Sequence, residues 1–226
     1  MNRRTFIRTG LETAGPLLAL STLLPSRGFG ASEVDPPRSP HLLRFPATLQ
    51  PGAFASGAGD DAQYHALVYA EGSAAGKALL TTPFPDLEAA RTLRARGAQD
   101  GGGVPMSAWT LRRLPLVPQP NRRVQGSPVR MTVMWDGWEE PRELSSLLED
   151  PGGRGLSLRF GGNEEQNHHW DSGCIVCLFS CPGGVVSNAN YSIRDHVRGA
   201  TSFSPASDLP PDETEVTVTL ELAGSG

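Results

Sequence analysis

The sequence predicts an α+β fold: a single β-rich domain with one or two helices packed on a mainly antiparallel sheet. Three observations lead there. Residues 128–135 (PVRMTVMW) set Val129, Met131 and Val133 on one side and Arg130, Thr132 and Met134 on the other, and 213–222 (ETEVTVTLEL) repeats the pattern with Val216, Val218, Leu220 and Leu222. A period of two marks a half-buried strand. Residues 86–97 read as a helix, with Asp86 and Glu88 at its start, Arg91, Arg94 and Arg96 toward its end and Gly97 to stop it, an order that complements the helix dipole. Finally, 26 glycines and 20 prolines make up a fifth of the 226 residues, which calls for many turns and short elements.

Taken from the start, residues 1–30 read as a twin-arginine export signal. Arg3-Arg4-Thr5-Phe6 precedes a mildly apolar segment (PLLALSTLL) and then the small residues Gly28, Gly30 and Ala31, where cleavage fits. Residues 10–24 include Glu12 and Pro16 and are too short to span a hydrocarbon core of about 30 Å. The expected location is periplasmic or exported, with no stable membrane span after cleavage. Removing this segment leaves 16 basic against 23 acidic side chains, a net charge of −7. That sign offers nothing to nucleic acid or anionic lipid.

Residues 31–62 are rich in Pro, Gly, Ala and Ser and predict a linker, with at most a strand at 42–45. The domain is therefore expected over 63–226. Residues 64–71 (YHALVYAE) and 77–82 (KALLTT) suit strands, and the helix at 86–97 turns Leu87, Ala90 and Leu93 toward a sheet. Residues 104–128 hold five prolines and read as a long connection. Residues 141–148 predict a short helix, 156–160 a strand, 161–167 a polar loop and 185–193 a weak strand. His65 lies in an apolar strand and is expected to be a satisfied core histidine. His196, beside Arg194 and Asp195, reads as part of a surface cluster.

Chemistry concentrates in 168–190 (HHWDSGCIVCLFSCPGGVVSNAN), which contains all three cysteines. They are spaced C-x2-C-x3-C-P, as in the last three positions of a bacterial ferredoxin run, and Asp171 stands where the first cysteine of that run would be. Short spacings let one loop wrap one metal centre. Gly183 and Gly184 can bring backbone N–H groups close to sulfur. The expected ligands are Cys174, Cys177 and Cys181, with Asp171, His168 or His169 as the fourth. An iron–sulfur cluster of the 4Fe-4S kind is the leading expectation. A disulfide with one spare thiol, a zinc site of three Cys and one His, and simple packing of thiols remain open. The chain shows no Ser/His/Asp arrangement, no G-x-S-x-G elbow and no phosphate loop, which favours an electron carrier or binding module over an enzyme.

The pieces His65-Ala66-Leu67, 77–99, 128–135 and above all 173–195 (GCIVCLFSCPGGVVSNANYSIRD) resemble the YdjY-like domain of exported bacterial proteins. The resemblance runs from about Tyr64 to Leu222 and implies one α+β domain with a ferredoxin-like cysteine run. The resulting expectation is an exported iron–sulfur electron-transfer protein with a redox partner in the cell envelope. The alternative is a non-enzymatic envelope module using the same cysteines in a disulfide or zinc site.

Overall fold

Alternating buried and exposed positions carry most of the sheet. In β1 (Leu42–Leu49), Leu43, Phe45, Ala47 and Leu49 face the core, while Arg44 and Pro46 face out. In β4 (Val129–Met134) and β11 (Thr214–Leu222) the alternation read from the sequence holds residue by residue. The computed structural model describes residues 41–56, 63–114, 116 and 118–223, so the expected export signal lies outside the described residues. In chain order the remaining elements are α1 (Pro51–Ser56), β2 (His65–Tyr69), β3 (Leu80–Thr82), α2 (Asp86–Ala95), α3 (Met106–Leu111), β5 (Arg142–Glu143) and β6 (Leu148–Glu149). There follow β7 (Leu158–Phe160), α4 (Glu164–Trp170), β8 (Cys174–Cys177), β9 (Val186–Asn188), α5 (Ile193–Val197) and β10 (Ser204–Pro205).

Among the described residues, nine strands form one sheet in the order β5-β4-β11-β1-β3-β2-β8-β9-β7, and β10 pairs with β6 apart from it. The domain is β-rich with few helices, as expected, but the sheet is mixed: β2 runs parallel to β3 and β8 parallel to β9, while the other six pairings are antiparallel. Period-two patterning cannot reveal this, because it fixes which face a residue takes and not which way a neighbour runs. The sheet also curls round on itself. Arg159 of β7 bridges to Pro128 at the mouth of β4, and the Phe160 N–H donates to the Ser127 carbonyl at 2.8 Å.

Several elements differ from expectation for local reasons. β1 lies inside the expected linker and is a central strand. A proline in mid-run argues against a central strand, but β3 pairs only with Thr48 and Leu49, so Pro46 stands beyond that ladder. The segment 141–148 is no α-helix. Leu144, Leu147 and Leu148 are buried as expected, but the first two lie in a single 3-10 turn (Leu144–Leu147) between β5 and β6, and Leu148 opens β6. α2 buries Ala89, Ala90 and Leu93, and Pro85 takes the cap position, which leaves Asp86 in the first turn. Helices α3 and α4 occupy stretches read as a connection and a polar loop. No helix among the described residues is long and apolar enough to cross a membrane.

Candidate functional site: a buried cysteine cavity

β8 is buried on both faces, and Cys174, Ile175, Val176 and Cys177 are each at most 1% exposed. Cys174 and Cys177 are three residues apart, a spacing that a regular pleat sends to opposite faces. The pairing with β2 breaks that rule. His65 stands opposite Cys177, Leu67 opposite Val176 and Val68 opposite Cys174, with register shifts between them. Such bulges re-aim side chains. As a result, both sulfurs reach one cavity and are joined there in a disulfide.

The cavity has a volume of about 310 Å³. Cys181 enters it from the connection between β8 and β9, and His65, Lys77 and Ser172 line it with the rings of Tyr64, Trp109 and Trp170. Nδ1 of His65 is 3.5 Å from Cys174 Sγ. One ring nitrogen of His65 and the sulfurs of Cys174 and Cys177 all lie within 4.8 Å of one another. Cys181 is a buried free thiol. Burial pushes it up to about 11, against the opposing pull of the Gly183 and Gly184 N–H groups and the Arg112 charge. The Gly183 N–H donates to Cys181 Sγ at 3.4 Å. The Arg112 guanidinium lies 3.5 Å above the Trp109 ring and so brings its charge to the cavity wall.

The glycines after Cys181 are required by close packing. A Cβ on Gly183 would stand 2.4 Å from the Trp170 ring, and one on Gly184 would stand 2.6 Å from Ser187 Oγ and 3.1 Å from Cys177 Sγ. Three asparagines hold the backbone of the stretch. Asn163 donates to the Cys181 and Gly184 carbonyls, the fully buried Asn167 to the Cys174 carbonyl, and Asn188 to the Leu178 carbonyl. Each satisfies a buried carbonyl that the sheet ladder leaves over.

The expected site residues therefore divide. Cys174, Cys177 and Cys181 converge on the cavity, and Gly183 and Gly184 pack behind them. His168, His169 and Asp171 are exposed and do not line it. Asp171 sits at the C-cap of α4 with φ 50°, which turns the chain into β8. The sequence reading treated His65 as an ordinary core histidine. The available signal was a histidine in a strand whose other inward positions are all apolar, but which strand it would pair with was hidden. His196 is half-buried. Its ring stacks on Phe179 at 4.4 Å, and its Nδ1 lies 2.9 Å from Thr201 Oγ1.

Fold and site together define a β-rich domain built around a buried thiol–imidazole cavity. The chain belongs to the YdjY family: the YdjY domain matches residues 43–221, which takes in most of β1 and of β11. It is 34% identical over 164 residues to the uncharacterized protein YdjY of Escherichia coli (strain K12), covering 70% of this chain and 67% of that protein. No solved structure matches.

Proposed function

We propose that the domain is an exported electron carrier that holds an iron–sulfur centre on Cys174, Cys177 and Cys181. The observation that supports this reading is the arrival of all three cysteines at one cavity, although β8 spacing alone would separate two of them. The donor set fits the group: soft sulfur ligands, an N–H donor on one sulfur, aromatic side chains in the wall, and the cationic Lys77 and Arg112 nearby to offset thiolate charge. Thiol–disulfide exchange with an external dithiol, which leaves as its own disulfide, converts the Cys174–Cys177 disulfide to two thiols. Loss of the three thiol protons then gives the ligating thiolates. When bound, such a centre supplies one-electron transfer. The protein's part is to hold the thiolates and set the charge around them.

The disulfide itself favours a second reading, in which an envelope binding or structural module uses it as a staple and Cys181 packs as an apolar residue. The two readings differ in one preparation. The chain is purified anaerobically from cells competent in cluster assembly, then assayed for iron, acid-labile sulfide, zinc and thiols. The carrier reading expects iron, sulfide and charge-transfer absorption. Colourless protein with one thiol when denatured without reductant and three with it overturns that reading in favour of the staple. Zinc without sulfide overturns it in favour of a structural metal site.

A further inference from the structure

We propose that His65 is the fourth ligand of this centre, an imidazole supplied by the strand beside the cysteines and not by the segment ahead of them. The inference rests on the metal-centre reading and deepens it. β2 places His65 opposite Cys177, in the ladder that delivers the sulfurs. A ring nitrogen and the two sulfurs occupy one 4.8 Å neighbourhood, and the same cavity takes in Cys181. The side chain is 7% exposed, and Ala66, Leu67 and Val68 beside it are fully buried. The Tyr64 ring lies 4.2 Å from the imidazole, centroid to centroid, and limits its rotation. No rival competes from the preceding segment, since His168, His169 and Asp171 are exposed and outside the cavity lining.

The chemistry gives the exchange a purpose. A neutral imidazole in place of a fourth thiolate removes one negative charge from a buried centre. Histidine ligation is known to raise cluster potentials for that reason. His65 would thus set the potential as well as complete the coordination.

The test uses the anaerobically purified full chain. In wild type, pulsed EPR of the reduced centre should show a nitrogen coupling that changes when the protein is made with 15N-histidine. His65→Cys should keep wild-type iron and sulfide, lose that coupling and shift the potential to more negative values. A coupling that persists in His65→Cys, or none in a cluster-bearing wild type, overturns the proposal and leaves the carrier reading standing. If wild type holds no cluster, the carrier reading fails, and Co2+ added to the reduced, metal-free protein still decides the role of His65. His65→Asn, chosen to limit loss of volume, should then weaken Co2+ binding by at least about tenfold and move its d–d bands. Affinity and bands unchanged from wild type overturn the proposal.

Discussion

The two halves of the sheet are built differently. On one side β1 runs against β11 through consecutive pairs from Leu42↔Glu221 to Leu49↔Thr214, without a break. On the other side β2 meets β8 at three positions with two register shifts between them. The regular half buries one face and leaves the other to solvent. In the irregular half β8 and β9 are buried throughout, and side chains leave the pleat to meet in a cavity. Reactivity belongs to the second half, because a run of unbroken ladder leaves no means of gathering residues three apart.

That division can be broken experimentally. Leu220→Ala removes a fully buried side chain of β11 that stands between Leu43 and Met131. It should cost about 2–5 kcal/mol in denaturant unfolding, yet leave the native thiol chemistry of the cavity as in wild type. Altered reactivity of Cys181 in the folded variant would mean that the halves are not separable. Gly184→Ala should show the reverse. Its methyl group meets Ser187 Oγ and Cys177 Sγ, at a cost of about 1–3 kcal/mol. Alkylation kinetics of Cys181, slow in wild type, should accelerate sharply, and an unchanged rate would remove the glycine from the site's architecture.

The smallest effect lies at α5. Ser192 and Asp195 form a capping box there, and Arg123 and Arg154 face the carboxylate at 3.5 and 3.0 Å. Burial opposes ionisation of Asp195, but the Ser192 N–H and hydroxyl and the Arg154 guanidinium outweigh it, so the carboxyl is held below its usual range. A depressed carboxyl stabilises the fold above its unfolded pKa, and that stabilisation is lost as pH falls through the folded value. Asp195→Asn should cost about 0.5–2 kcal/mol near neutrality and flatten the acid limb of the stability profile. A parallel loss at every pH would show that charge plays no part.

The same contrast decides what was legible in the sequence. β4 and β11 were readable because each buries one face and leaves the other less buried, so the period of two shows along the chain. Gly184 and the cysteines were marked by spacing, and they do share a site. The neighbour of the cysteines in space was not readable. Asp171 matches the ferredoxin register along the chain but is exposed and outside the cavity lining, whereas the bulged pairing with β2 sets His65 beside Cys174 and Cys177. The asparagines of 161–167 also looked like loop polarity. Their function is to satisfy carbonyls of a stretch that they precede or interrupt, and this shows only once the stretch is folded. β1 was obscured by Pro46, whose tolerance depends on how far β3 extends beside it.

The pairing of β1 with β11 also imposes an order in time. Arg44 and Thr219, hydrogen-bonded across those strands, are 175 residues apart. At roughly 5–20 residues per second of synthesis, the first central strand waits about 10–35 s for its neighbour. Cys174, Cys177 and Cys181 all emerge before Thr219 does, while the centre of the sheet is still open. The three thiols are therefore synthesised before β1 has its full set of neighbours.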